Sequence, residues 1–353
     1  MWFNSFSAAK APPPSEGLPD RFSGKGKGYI FSPDLEAAID VAIGLGRPLL
    51  VSGEPGSGKT ELGYAIARRL GIDKVQFFST KSTSEARDLF YTYDAIGRFR
   101  DAQIAQTAGD RLSDVGDYIE FQALGRAILD SHGKADIAHL LRGRNRYEHP
   151  GKPTRSIVII DEIDKAARDF PNDFLREIED LSFRISEFSR SAAETPDPRQ
   201  PETPSGTLIG QTVRPIIIVT SNEERQLPDA FLRRCIFHEI TFPDDDVLAK
   251  IIASGLERRK PPVDGSPDRF ELPAKEVNEL IDLLRRFREL PLEKKPGVAE
   301  LIDAATLVAY PSRKRTEAPP FDERKQKTIA ALAKLKLDRD AFSTLISGAT
   351  PSS

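Results

Sequence analysis

The sequence predicts an α/β fold, a parallel sheet between layers of helix, followed by a small all-α domain. Three observations predict it. A glycine loop, Gly53-Glu-Pro-Gly-Ser-Gly58-Lys59-Thr60, joins the apolar run Pro48–Val51 to a helical pattern over Glu61–Leu70. Two further apolar runs, Ser156–Ile160 and Pro215–Thr220, are continuous rather than alternating, as in parallel strands buried on both faces. After Phe242-Pro243 the strand pattern stops and helical patterns take over.

At 353 residues the chain has room for two domains and a substantial core. A net charge of −3 gives no general pull toward nucleic acid or a membrane surface. Cys235 is the single cysteine, which excludes an internal disulfide and suits a reducing compartment. No apolar run approaches the roughly 18 residues of a membrane helix. Residues 1–14 lack the basic and apolar regions of a signal peptide. A cytoplasmic location, with no membrane partner, is the expectation.

In chain order, residues 1–27 are rich in Pro, Ser, Gly and Lys and read as a mobile leader. Ser32-Pro33-Asp34 then starts a helix, with a capping hydroxyl, a proline at the first helical position and an acid in the first turn. Leu35, Ile39, Ala42 and Ile43 supply its buried stripe, which ends near Gly44. The glycine loop and its helix follow, stopping at Gly71, and Val75–Phe78 is a second strand. The long segment from Ser79 to Arg155 carries helical stretches near Glu85–Leu89 and Tyr118–Asp130.

Within its last part, Lys134, Arg142, Arg144, Arg146, Lys152 and Arg155 outnumber Asp136 and Glu148. That excess is either a solvated face or a site for an anionic partner. It lacks the interleaved aromatics of single-strand binding. A helix over about Asp173–Leu181 comes after the third strand, and Pro196, Pro198, Pro201 and Pro204 mark an exposed loop at a hairpin tip. Helices over Asp244–Leu256, Pro273–Glu289 and Val298–Tyr310 build the all-α domain. Arg324–Leu337 has the pattern of a basic amphipathic helix, with Ile329, Leu332 and Leu335 on one face, either packed or free.

The chemistry begins at the glycine loop. Strand, glycine loop and helix in that order make a phosphate cradle, since glycines let backbone N–H groups turn inward and the helix N-terminus adds positive dipole. Lys59 would reach the β- and γ-phosphates and the Thr60 hydroxyl would ligate Mg²⁺, so the chain reads as nucleotide-binding. The run Ile157–Ile160 ends in Asp161-Glu162. Asp161 at a strand tip can hold Mg²⁺, and Glu162 can polarise a water for in-line attack, its alternative being a cap on the next helix. Asp164 and Lys165 are expected to cap and decorate that helix. Asn222, ending the next apolar strand, would orient the attacking water. His132, His139 and His149 lack metal-ligand spacing, His238 reads as structural or surface, and Cys235 shows no partner for nucleophilic catalysis.

These stretches together resemble the AAA+ ATPases, a class of P-loop NTPase, and MoxR-type members above all. The matching segments are Gly53–Thr60, Lys81-Ser-Thr-Ser-Glu-Ala-Arg-Asp-Leu-Phe90, Ile160-Asp-Glu-Ile-Asp164, Thr220-Ser-Asn-Glu-Glu-Arg225 and Leu227-Pro-Asp-Ala-Phe-Leu-Arg-Arg-Cys-Ile-Phe237. They span about Gly28 to Tyr310. The resemblance implies a three-layer P-loop domain over 28–242, with an insertion at about 81–155 and a hairpin at about 183–214 facing a central pore or client. A helical lid over 243–312 and a tail over 313–353 complete the division.

The resemblance also implies Asn222 as sensor 1, and Arg234, assisted by Arg233, as an arginine finger acting on a neighbour's ATP. Tyr29 is counted with Gly53, Glu54, Pro55, Gly56, Ser57, Gly58, Lys59, Thr60 and Glu61 as nucleotide contacts. A ring of six subunits, hydrolysing ATP with Mg²⁺ to remodel or activate a protein client, is the implied activity. A von Willebrand A-domain protein is the implied partner. One departure stands out. Ala299, in Pro296-Gly-Val-Ala-Glu-Leu-Ile302, occupies the place of the family's lid arginine, with Lys294 or Lys295 as substitutes that lack its bidentate fork. A nucleic-acid-stimulated motor and a nucleotide-gated scaffold with weak hydrolysis are the alternatives.

Overall fold

A computed structural model of the protein describes residues 6–9, 24–108, 113–141, 147–188, 213–259, 270–311, 319–333 and 338–340, with Phe342 and Ile346. The strands are β1 (Leu49–Gly53), β2 (Val75–Ser79), β3 (Tyr91–Tyr93), β4 (Ile119–Phe121), β5 (Ile157–Asp161), β6 (Ile216–Ser221), β7 (Ile236–Ile240), β8 (Phe270–Glu271) and β9 (Tyr310–Pro311). Five of them form the main sheet, in the order β2-β5-β6-β1-β7. β5 lies parallel between β2 and β6, so that Ile159 is flanked by Phe77 and Ile218. Ile157, Val158, Ile159 and Ile160 are all fully buried, which is why their run shows no alternation.

Helices flank this sheet and make up most of the C-terminal part. They are α1 (Pro33–Leu45), α2 (Lys59–Leu70), α3 (Ala95–Ala108), α4 (Ala123–Asp130), α5 (Phe170–Asp173), α6 (Leu175–Asp180), α7 (Asp229–Leu232), α8 (Asp245–Arg258), α9 (Ala274–Glu289), α10 (Val298–Val308), α11 (Phe321–Lys325) and α12 (Thr328–Leu332). Among the described residues no helix is long and apolar enough to cross a membrane. The chain divides into two compact units, residues 1–14, 33–52 and 67–238 in the first and residues 15–32, 53–66 and 239–353 in the second.

In the first unit, Val158, Ile160 and Val219 share a core with Phe121, Leu124 and Ile128. The sequence reading needs correction in three places here. The stretch Tyr118–Asp130 is not one helix: Ile119 and Phe121 are buried on either side of exposed Glu120, a two-residue period, and they pair with β3 as an antiparallel strand. Helix α4 starts only at Ala123. The helix expected over Asp173–Leu181 is interrupted at Phe174, giving α5 and α6, and ends where Leu181 turns left-handed at φ 45°. Helix α3 was not anticipated because its large apolar residues, Ile96, Phe99 and Ile104, are exposed and mark no buried stripe.

The leader is not wholly mobile either. Phe6 is fully buried, and its N–H and that of Ser7 donate to the Asp40 carboxylate, with the Arg69 guanidinium 4.4 Å above the Phe6 ring. Residues 10–23, the proline-marked hairpin tip within 189–212, and Arg142, Arg144 and Arg146 of the basic segment lie outside the described residues. Within that segment two histidines act as structural groups. His132 is buried with Nδ1 2.8 Å from the Ile128 carbonyl, and His149 Nδ1 accepts from Gly151 N–H.

In the second unit, α8, α9 and α10 pack Leu248, Ile252, Leu284, Phe287, Leu301 and Ala305 into a separate core. One short antiparallel ladder, β8 with β9, interrupts the all-helical pattern. The tail packs here: Leu332 and Ala333 are fully buried in this core, and buried Arg324 donates to both carboxylate oxygens of Glu276 at 2.8 Å. Leu335 lies outside the described residues. Leu332→Ala should therefore cost about 2–5 kcal/mol, the range for truncating a buried leucine. Urea denaturation followed by a probe in the helical part checks it, and a loss within error would mean the tail does not pack.

Candidate functional site

Two groups of side chains carry the predicted site residues, one in each unit. In the second unit, the chain turns from Gly53, the last residue of β1, through the glycine loop into α2. Gly53, Gly56 and Gly58 have φ of 145°, 77° and 91°, a conformation that side-chain-bearing residues avoid. A Cβ on Gly53 would come within 2.7 Å of the Ile240 carbonyl, so glycine is required there. Lys59 is buried, and its Nζ donates to the carbonyls of Gly53 at 2.7 Å and Glu54 at 2.9 Å. Ser57 Oγ is buried with no hydrogen-bond partner among the described residues. A cradle of left-handed glycines, a helix N-terminus, an ammonium and an orphaned hydroxyl suits a polyphosphate.

Tyr29 lies beside this loop, its ring 3.4 Å from where a Gly58 Cβ would sit. Burial, and then the Glu61 carboxylate, push its phenol well above the usual tyrosine range, so it stays neutral. Glu61 in turn accepts the Gly26 N–H at 2.6 Å. Thr60 occupies the first turn of α2.

One residue here escaped the sequence reading. Arg288, near the end of α9, donates to both carboxylate oxygens of Glu54, at 2.7 and 3.0 Å. Lys294 and Lys295, the substitutes considered for the absent lid arginine, are exposed. No local pattern pairs Arg288 with a residue 234 positions away.

In the first unit, the register of β5 with β6 brings Asp161, Glu162, Thr220 and Asn222 together. The Thr220 hydroxyl, fully buried, donates to Asp161 Oδ1 at 2.7 Å and accepts the Glu162 N–H at 2.9 Å. Glu162 is left-handed, at φ 56° and ψ 50°, a strained conformation for a residue other than glycine. Its carboxylate accepts from Asn222 Nδ2 at 3.2 Å and Lys165 Nζ at 2.5 Å. That hydrogen bond raises the Lys165 pKa. Lys165 ends the short helical turn Ile163–Lys165 and, beyond decorating it, pairs with Glu162.

Asp164 is likewise not the expected cap. It is buried, and its carboxylate accepts the backbone N–H groups of Asn222 and Glu224, so it holds the turn that presents Asn222. The run of acids was visible in the sequence, but its partners lie 58 and 60 residues away. Arg233 and Arg234 are exposed after α7, and Arg234 pairs with Glu179 at 2.6 Å. Cys235, the next residue, is buried, and burial pushes its thiol up to about 12, which leaves it unreactive.

Residues 49–244, more than half of the chain, match the model of the ATPase family associated with various cellular activities, AAA. The chain belongs to the AAA family. Among solved structures, the crystal structure of the FIGL-1 AAA domain in complex with ADP is similar at 15% identity and a TM-score of 0.34, over 87% of this chain and 79% of that one. Among curated proteins none matches. An AAA domain brings nucleotide binding, generally with Mg²⁺, and ATPase activity as a general property of the family. AAA proteins are typically oligomeric rings.

The Asp164 turn of this AAA chain can be tested without nucleotide. Asp164→Ala leaves two backbone N–H groups without their acceptor, which should cost about 1–3 kcal/mol. Guanidinium denaturation measures the loss. Hydrogen exchange at Asn222 and Glu224 should rise with it, and unchanged protection there would remove Asp164 from this role.

Proposed function

We propose that the protein is a MoxR-like AAA ATPase that works as a ring and uses ATP to remodel or activate a protein client.

 The reading rests on one observation, the hydrogen-bonded group that sets Glu162 against Asn222 with Asp161 at the same strand end. A von Willebrand A-domain protein is the partner class we favour, from the sequence resemblance. Residues 28–242 are assigned to the nucleotide-binding domain and 243–312 to the lid.

Each residue then has a task. Backbone N–H groups of the loop, and Lys59 once it exchanges its two carbonyl partners, neutralise phosphate oxygens. Thr60 and Asp161 would hold Mg²⁺, which when bound draws negative charge from the phosphates. Asn222 orients a water and Glu162 takes its proton as the water oxygen attacks the γ-phosphorus. The bond to the bridging oxygen breaks, leaving ADP and inorganic phosphate. Tyr29 lines the nucleotide beside Gly58. Arg234, with Arg233, reaches a neighbouring subunit's γ-phosphate. Its exposed pair with Glu179 is no obstacle, because such surface pairs contribute only about 0–1 kcal/mol.

A second reading, a nucleotide-gated scaffold with weak hydrolysis, is favoured by the Lys165 ammonium 2.5 Å from the Glu162 carboxylate. With Lys165 on one carboxylate oxygen and Asn222 on the other, neither oxygen is left free to meet a water. Single-turnover hydrolysis separates the two readings.

Lys59→Ala should abolish Mg-ATP binding in calorimetry, whereas Glu162→Gln should bind ATP and stall before hydrolysis, since a carboxamide cannot take the proton. Tight binding by the first variant, or near-normal turnover by the second, counts against these roles. Ring action has its own test. Arg234→Ala subunits keep Glu162 but offer no finger, and Glu162→Gln subunits offer the finger but have no base. Each alone should be nearly inactive, and mixed rings should regain ATPase activity. Finger loss costs about 10³–10⁵ in rate, so a few intact interfaces would stand clear of background. Mixed oligomers that form without regaining activity would remove Arg234 from this role.

A further inference from the structure

Glu54 places a carboxylate in the very loop that is to cradle a polyphosphate. Unpaired, it would repel the ligand. Arg288 answers that charge with two hydrogen bonds, at 2.7 and 3.0 Å. The guanidinium is itself held in place: it stacks 3.8 Å from the centre of the Phe242 ring and donates to the Pro296 carbonyl at 2.6 Å. Its side chain is 13% exposed, against 51% for Glu54, so the arginine is the fixed partner.

The next two loop residues are held from the same side. Ala299 N–H donates to the Gly56 carbonyl at 3.2 Å, and Gly297 packs so closely that a Cβ there would come within 2.7 Å of the Pro55 carbonyl. The rim Glu54-Pro55-Gly56 is thus hydrogen-bonded at Glu54 and Gly56, and closely packed at Pro55, against the end of α9 and the start of α10.

We propose that Arg288 is a positioning residue for the nucleotide: it neutralises Glu54 and pins the outer rim of the phosphate loop, without itself contacting phosphate. This rests on the nucleotide reading above. It differs from a lid arginine that senses the γ-phosphate, because Arg288 acts through Glu54 and so affects ADP and ATP alike.

A double-mutant cycle on Mg-ADP and on a non-hydrolysable Mg-ATP analogue, read by calorimetry, tests it. Arg288→Gln should weaken both ligands by about tenfold, since the freed carboxylate faces the phosphates. Glu54→Gln should tighten both a few-fold. In the double variant, Arg288→Gln should have no further effect once Glu54 is neutral, leaving the affinity at the Glu54→Gln value. A loss confined to the ATP analogue, or a full Arg288→Gln penalty persisting in the Glu54→Gln background, overturns the proposal in favour of direct phosphate contact. No ADP binding by the wild type overturns the nucleotide reading and this inference with it, whereas binding that Arg288→Gln leaves unchanged overturns the inference alone. Should Arg288→Gln fail to fold, Glu54→Gln decides by hydrogen exchange without nucleotide. Faster exchange across residues 54–58 supports the pinning, and an unchanged rate overturns it.

Discussion

The Thr220 hydroxyl ties the end of β5 to the end of β6, and the order of this polar edge depends on that tie. One hydroxyl donates to Asp161 and accepts from the N–H of Glu162, so the last residue of β5 and the residue after it are positioned by one residue of β6. Both strands are buried on both faces, which leaves their polar ends as the place where hydrogen-bonding side chains can gather. A slip of one residue between the strands would turn Asp161 and Glu162 to opposite sides and separate Glu162 from Asn222. Buried apolar packing along Ile157–Ile160 and Ile216–Val219 resists that slip.

Strain and polar support meet at the same edge. Glu162 and Glu223 are both left-handed, with φ of 56° and 60°, and the turns carrying them are held by Thr220 and Asp164. Neither conformation is favourable in isolation, and each persists because surrounding hydrogen bonds over-determine it. The result is a carboxylate and an amide presented together by backbone that has little freedom to relax.

The second unit treats charge by a common device. Arg288 and Arg324 each spend a guanidinium on a carboxylate while packing against aromatic rings, Phe242 in one case and Phe321 and Tyr310 in the other. Planar, always-charged arginine suits such sites, where the ring replaces part of the lost hydration. Arg324 thereby fastens the tail to α9 through Glu276, and Arg288 fastens α9 to the phosphate loop through Glu54. Helix α9 connects the two fastenings along a single rigid element.

The sequence by itself determined the elements whose causes are local. Glycines at 53, 56 and 58 leave no alternative to a tight loop, unbroken apolar runs leave little alternative to strands buried on both faces, and Ser32-Pro33-Asp34 starts a helix wherever it lies. Short elements were misread, since β4 has three residues and its strand character comes from pairing with β3. The tertiary structure alone decided the long-range partners: Asp40 for Phe6, Asp164 for the Asn222 turn, Arg288 for Glu54. In each, a polar group is satisfied by a residue tens to hundreds of positions away. A sequence shows that such a group exists, but only the folded chain, by excluding water around it, decides which partner must satisfy it.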